Sequence, residues 1–128
     1  MPWIRWPRTH DLQAIMDERL RPTERLKHAS EYVALFAKGR CFSSTHLRVH
    51  YRPNDRGFSR LGLVVSRRVG KAVSRNRVKR ILREIFRKNK SFLRVPMDIV
   101  LVPRGKPRTH REYSEVFGSF MEKLERGG

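Results

Sequence analysis

The sequence predicts a single small α+β domain with elements in the order helix, strand, strand, helix, strand, helix. Three observations support this class. The chain has 128 residues, 38% of them apolar, which suffices for one domain with a packed core. Its apolar residues follow helical spacing in three segments and strand character in three others. Turn-forming residues at 52–57 and 103–107 separate several of these segments.

The first and last helices are recognised by their ends as well as by their spacing. Residues from Ser30 to Lys38 predict a short helix with Ser30 as the N-cap, and Gly39 stops it. Thr109 and Glu112 form a capping box at the start of the last helix. One face of that helix is lined by Tyr113, Val116, Phe117, Phe120, Met121 and Leu124.

Three segments have strand character. Apolar and polar residues alternate over 46–52, which predicts a half-buried strand. The apolar segment 60–66 predicts a central strand, and 52–60 would join it to the preceding strand as a hairpin with a longer loop. The aliphatic segment 97–102 predicts the third strand.

The net charge identifies the class of partner. Thirty Lys and Arg against twelve Asp and Glu leave a net charge of +18, and self-repulsion of this size destabilises a compact state. A polyanion would offset that repulsion, and a sequence pI near 11.5 fits nucleic acid better than a membrane or an acidic substrate. Eleven of the bases fall within residues 66–90, where Glu84 is the one acid.

Cysteine content and hydropathy exclude several other classes. The single cysteine, Cys41, cannot form an internal disulfide framework or a multi-cysteine metal cluster. Residues 1–8 lack the continuous apolar region of a secretory signal, and the longest aliphatic run, 99–102, is far too short to span a bilayer. We therefore expect a cytoplasmic protein without a membrane partner.

The basic segment predicts an amphipathic helix. At 100° per residue, with Val78 at zero, Ile81, Leu82, Ile85 and Phe86 fall between about −60° and +80°. The arc from about 100° to 200° holds Asn76, Lys79, Arg80, Arg83 and Arg87. A merely solvated face would mix charges of both signs to gain i,i+4 pairs, whereas here like charges are four residues apart. This face therefore indicates nucleic-acid binding.

The turn that leads into the basic helix invites comparison with a phosphate-binding loop. The Walker A pattern fails, because Val65 and Ala72 stand where it requires Gly and Ser or Thr. A glycine turn before a helix N-terminus still offers free N–H groups to a phosphate. Arg67, Arg68 and Lys71 flank that turn.

The segment 66–87, SRRVGKAVSRNRVKRILREIFR, closely resembles the Arg-Asn-Arg signature of the bacterial ribonuclease P protein subunit. The resemblance extends from about Arg25 to about Leu124 and includes the Arg-Leu-Gly-Leu segment at 60–63 and Asp98. It implies an α/β sandwich with a left-handed βαβ crossover. It also implies a domain over 25–128 preceded by an N-terminal extension over 1–24.

The resemblance implies a role without catalytic side chains. Family members assist a catalytic RNA that, with bound magnesium, removes the 5′ leader from precursor tRNA as an endoribonuclease. The implied partners are this RNA and precursor tRNA, and no obligate protein partner is implied. Magnesium is expected to be held through the RNA, and no cofactor is expected to be held by the protein alone. The residues expected to dock on the RNA subunit are Arg67, Arg68, Lys71, Arg75, Asn76, Arg77, Lys79, Arg80, Arg83 and Arg87.

The resemblance also implies a cleft between the first helix and the sheet that holds the single-stranded leader. The implied residues are Tyr32, Phe36, Arg48 and His50. Aromatic residues four apart on one helix face are more often core than binding platform. The strand nevertheless presents His46, Arg48 and His50 opposite its apolar side. Aromatic faces opposite cationic side chains suit an unstacked nucleic-acid strand.

Two other functions stay open at this point. His46 and His50 on one strand face, with Arg48 between them, would suit general acid–base catalysis in a metal-free ribonuclease. A structural RNA- or DNA-binding protein would need only the charge. Outside the resemblance, residues 11–20 would form a short amphipathic helix, and we raise the hypothesis that translation starts at Met16.

Overall fold

The computed structural model describes residues 24–26 and 28–127, with helices and strands that confirm the predicted α+β class. The expectations for residues 11–20 and for Met16 lie outside the described residues. The elements in chain order are α1 (Ala29–Lys38), β1 (Arg40–Ser43), β2 (Leu47–Pro53), β3 (Arg60–Leu63), α2 (Ala72–Asn89), β4 (Met97–Pro103) and α3 (His110–Gly127).

The four strands form one sheet in the order β1-β2-β4-β3. Strand β4 pairs antiparallel with β2 along its whole length and parallel with β3, so that β3, α2 and β4 form a βαβ crossover unit. The predicted hairpin between β2 and β3 is wrong, because β4 lies between these two strands. The hairpin instead joins β2 to β1, a four-residue strand whose mixed composition carries no clear periodicity.

Helices cover both faces of the sheet. Residues of α2 and α3 pack with the larger apolar cluster, which includes Val49, Leu82 and Phe117. Residues of α1 pack on the opposite face in a smaller cluster that includes Leu35 and Val100. Strand β2 is therefore buried on both sides, which corrects the prediction of a half-buried strand.

A buried ion cluster ties α1 to the sheet. The Arg60 guanidinium of β3 donates from Nε and Nη2 to the two carboxylate oxygens of Asp98 in β4, at 2.8 and 2.7 Å. Its Nη1 lies 2.6 Å from Oε2 of Glu31 in α1. Asn54 adds a side-chain hydrogen bond of 2.8 Å to Asp98. Paired in this way, the buried charges satisfy one another, since an unpaired buried charge would be strongly destabilising.

The helix ends follow the predicted chemistry with one exception. In α3, the Glu112 N–H donates to the Thr109 hydroxyl and the Thr109 N–H donates to the Glu112 carboxylate, both at 3.2 Å, which confirms the capping box. The Gly39 N–H donates to the Leu35 carbonyl at the end of α1. The predicted Ser30 N-cap is wrong, because the helix begins at Ala29 and His28 takes the cap position, where its N–H donates to Glu31.

Candidate nucleic-acid interface

Helix α2 separates its apolar and cationic residues as predicted. Val78, Leu82, Ile85 and Phe86 are buried against the sheet and α3. We call the opposite face the basic ridge, formed by Asn76, Lys79, Arg80, Arg83 and Arg87. Three of its members, Asn76, Arg80 and Arg87, are exposed, and the other two are half-buried. Partial burial lowers the pKa of the Arg83 guanidinium from its ordinary value.

The turn before α2 adds further cations. Arg67, Arg68 and Lys71 are all exposed, whereas Val69 between them is buried and anchors the turn in the core. The turn is held by a hydrogen bond of 3.3 Å from the Arg68 N–H to the Ser66 hydroxyl. Gly70 has φ of 147°, a conformation that favours glycine. Because this hydrogen bond, the Gly70 conformation and buried Val69 hold the backbone of the turn, the Cα atoms of the three cationic residues have defined positions beside the first turn of α2.

The two arginines of the Arg-Asn-Arg motif differ in exposure. Arg75 is half-buried, whereas Arg77 is exposed. The charge of Arg77 acts on the Tyr113 hydroxyl of α3. The one acid of the helix, Glu84, pairs with Lys88 at 3.0 Å. This pair lowers the pKa of Glu84 and leaves the cations of the ridge in excess.

The predicted cleft lies where α1 crosses β2, and its residues are unequally accessible. The rings of Phe36 and His50 meet edge to face, with centroids 4.6 Å apart, and Phe36 is half-buried. Tyr32 is only 1% exposed and its hydroxyl points to the Leu26 carbonyl at 3.5 Å. Burial raises the pKa of the Tyr32 hydroxyl. Tyr32 is therefore part of the core beneath the cleft, and its ring does not present a stacking surface.

The floor of the cleft is more buried than the alternating pattern predicts. Arg48 and His50 are 8% and 4% exposed, because α1 covers that face of β2. Burial, with the Arg48 charge beside it, lowers the pKa of the His50 imidazole to about 4, so this ring is neutral near pH 7. Burial also lowers the pKa of the Arg48 guanidinium, and the nearby positive charge of Arg104 lowers it further.

Arg104 is an exposed cation close to Arg48 that the sequence analysis missed. Its guanidinium donates to the Ser44 carbonyl at 2.8 Å, and its backbone N–H donates to the His46 carbonyl. The pairing of Arg48 with Val102 places Arg104 one step further along the same face of the sheet. The register between β2 and β4 would have placed Arg104 near Arg48, but the sequence analysis paired β2 with β3.

The structure does not bring together the two histidines of the nuclease alternative. His46 Nε2 lies 3.6 Å from the Glu112 carboxylate of α3. His50 packs with Phe36 of α1 and lies 3.9 Å from the Cys41 sulfur. Because the two imidazoles contact different helices, they do not form an acid–base pair about one substrate bond.

Residues 24–26 and 28–127 hold neither a metal-binding cluster nor a membrane-spanning helix. Within these residues, no three His, Cys, Asp or Glu side chains lie close enough together to hold a metal ion. In the same part of the chain, the helices are too short or too polar to cross a membrane.

Comparison with known proteins shows one family. The ribonuclease P family profile matches residues 20–126. The ribonuclease P protein component of Thermotoga maritima is 39% identical over 110 residues, which cover 85% of this chain and 92% of that protein. The corresponding Xylella fastidiosa protein is 45% identical over 98 residues, covering 74% and 71%.

Solved structures agree with this result. The RNase P protein of Staphylococcus aureus superposes with a TM-score of 0.71 at 27% identity, covering 79% of this chain and 94% of that one. The RNase P protein of Thermotoga maritima superposes with a TM-score of 0.55 at 36% identity, covering 85% and 93%. The similarity thus extends over the sheet and its covering helices.

Proposed function

This chain belongs to the ribonuclease P protein component family, and from that premise we propose that it binds the RNA subunit of ribonuclease P and the 5′ leader of precursor tRNA. The chain is then one component of an endoribonuclease holoenzyme. The catalytic groups belong to the RNA and the magnesium ions that the RNA holds. The observation that carries the proposal is the basic ridge with the cationic turn before it.

Electrostatics explain why the ridge suits RNA. Asn76, Arg80, Arg83 and Arg87 recur at helical spacing over about 16 Å of helix. Each Lys or Arg that contacts a phosphate releases condensed counterions, which makes binding favourable and dependent on salt. The planar guanidinium donates two parallel hydrogen bonds to a phosphate, which adds orientation to the attraction. The RNA would also relieve the mutual repulsion of Arg83 and Arg87.

A paired substitution tests the ridge. Arg80 and Arg87 are replaced by Ala together, and the control replaces Arg111 and Arg126, two exposed arginines of α3. Binding of the full chain to the RNA subunit is measured over a range of salt concentrations. The ridge variant should bind more weakly, with a salt slope reduced by roughly 0.7–0.9 for each lost contact. Equal losses in both variants would show that net charge alone attracts the RNA and would contradict docking by the ridge.

In the proposed leader site, half-buried Phe36 supplies the aromatic ring. His50 contacts that ring edge to face, and Arg48 and Arg104 supply positive charge near His50. Tyr32 would hold α1 in place rather than touch the leader, because its ring is buried. A nucleobase stacked on an aromatic side chain contributes about 1–3 kcal/mol.

Replacing Phe36 by Ala separates leader binding from docking on the RNA subunit. Affinity for precursor tRNA in the holoenzyme should fall by roughly 5- to 150-fold. Affinity for mature tRNA, which lacks the leader, and for the RNA subunit should not change. Val33→Ala, at an exposed residue of the same helix, is the control. A variant that loses stability but keeps the preference for precursor over mature tRNA would contradict the assignment of Phe36.

Cleavage assays distinguish this function from the two alternatives. Precursor tRNA is incubated at low magnesium with the protein alone, with the RNA subunit alone and with both. We expect 5′-leader removal with both, less with the RNA alone and none with the protein alone. Cleavage by the protein alone would support a nuclease. Failure to stimulate the RNA would support a structural nucleic-acid-binding protein.

A further inference from the structure

Val73 is an apolar residue in an unusual place. Its side chain is 82% exposed on the first turn of α2, away from the buried seam of that helix. Single exposed apolar residues are common on protein surfaces and need no explanation by themselves. The neighbours of Val73 are what set it apart. The residues three, four and seven positions ahead are Asn76, Arg77 and Arg80, and all three are exposed.

The helical geometry places Val73 on the edge of the basic ridge. Its angular position lies within about 20° of Arg80 and about 40° of Arg77. It is also two residues after Lys71, at the end of the cationic turn. Val73 therefore lies between the cationic turn and the cations of the ridge, which would bring the phosphate backbone of an RNA close to it.

Valine is a poor choice for such a position if phosphates are the only ligands. Its branched side chain lowers helix propensity, and its exposed methyl groups contribute nothing to the core. Lys or Arg would add a phosphate contact there. A methyl group becomes favourable only where it leaves water on binding. RNA offers such surfaces between its phosphates, on the riboses and base edges of the shallow minor groove.

We propose that Val73 packs against ribose and base surface of the RNA subunit, so that the ridge recognises the shape of the RNA groove as well as its charge. This inference rests on the proposed docking of α2 on that RNA. The backbone and side chain of Val73 are already ordered before binding. Buried Val69 and the Gly70 turn fix the start of the helix, and the valine side chain has one preferred rotamer there. Little conformational entropy is lost when it is covered.

Two substitutions at Val73 distinguish packing from charge. Val73→Thr keeps the shape and nearly the same helix propensity but replaces a methyl group by a hydroxyl. Val73→Lys adds a positive charge to the ridge. If Val73 packs on RNA, the Thr variant should bind the RNA subunit about 5- to 30-fold more weakly, with an unchanged salt slope because no phosphate contact is lost. The Lys variant should also bind more weakly, despite its extra charge.

The control is Val33→Thr, an exposed valine of α1, whose affinity for the RNA subunit should equal that of the unmodified chain. Melting temperatures of all variants verify the fold. Val73→Thr with unchanged affinity, or Val73→Lys with tighter binding and a steeper salt slope, would overturn the inference while leaving ridge docking intact. If the unmodified chain itself fails to bind the RNA subunit, both proposals fail.

Discussion

Replacing Asp98 by Ala tests the buried ion cluster that joins α1 to the sheet. The change removes both acceptors of the paired Arg60 hydrogen bonds and one acceptor of Asn54, while Arg60, 7% exposed, keeps its contact with Glu31. Removing one partner of a buried ion pair costs about 3–5 kcal/mol, because the other charge stays buried. Since Glu31 still faces Arg60 at 2.6 Å, we expect the lower end, about 3 kcal/mol of unfolding free energy.

Thermal and denaturant unfolding measure this loss. For a chain of this size, about 3 kcal/mol corresponds to a fall of roughly 10–15 °C in melting temperature. The control, Glu122→Ala, breaks an exposed pair with Arg126 and should cost less than about 1 kcal/mol. Adding Arg60→Met to Asp98→Ala should destabilise by less than the sum of the single changes, because it removes the stranded charge. An Asp98→Ala loss no larger than that of the control would refute this account.

Three further predictions use the same unfolding measurements. Burial and Arg48 lower the pKa of His50 from 6.5 to about 4, so the unfolded chain binds more protons between these values. Stability should therefore be complete above pH 6.5 and fall toward pH 4, and His50→Gln should lose that part of the pH dependence. Gly62→Ala would place a Cβ 2.6–2.8 Å from the Tyr32 side chain and should destabilise by about 1–3 kcal/mol. Gly118→Ala, within α3 and with open space around its Cβ, should stabilise by about 0.5–1 kcal/mol.

The basic helix was the most predictable part of the molecule because its information is local. The spacing of Val78, Leu82 and Ile85 determines which side packs on the sheet, and the cations on the other side follow from the same geometry. No distant contact is needed to place the basic ridge. The composition and exposure of the basic ridge could therefore be predicted from the sequence, whereas its docking on RNA stays a prediction.

Strand pairing was not predictable from neighbouring sequence. The segment after β2 has the composition of a hairpin turn, but it contacts the start of β4 instead. There the Asn54 N–H donates to the Pro96 carbonyl, and the Asn54 side chain donates to Asp98 and to the Phe58 carbonyl. Asp98 is 44 residues from Asn54 in sequence and Pro96 is similarly distant, so no local turn rule contains these two partners.

The residues assigned to the leader cleft lie where α1 packs on β2, but their burial was not predicted. Alternation along β2 correctly separated Arg48 and His50 from the apolar side, yet it could not show that α1 covers them. The same packing buries Tyr32. The expectation that an aromatic residue on a helix face more often belongs to the core is therefore confirmed at this position. Burial of this kind depends on where a helix docks, and a period of two residues carries no information about that.

The central position of β4 has a consequence for the order in which the chain can fold during synthesis. Strand β4 supplies seven partners to β2 and four to β3, yet it is the last strand to leave the ribosome. Until residue 103 has emerged, β2 can pair only with β1, through four residue pairs, and a lone hairpin is marginally stable. The nascent chain therefore carries an unpaired edge on β2 from residue 53, and on β3 from residue 63, until β4 is complete at residue 103, and its sheet closes in one late step.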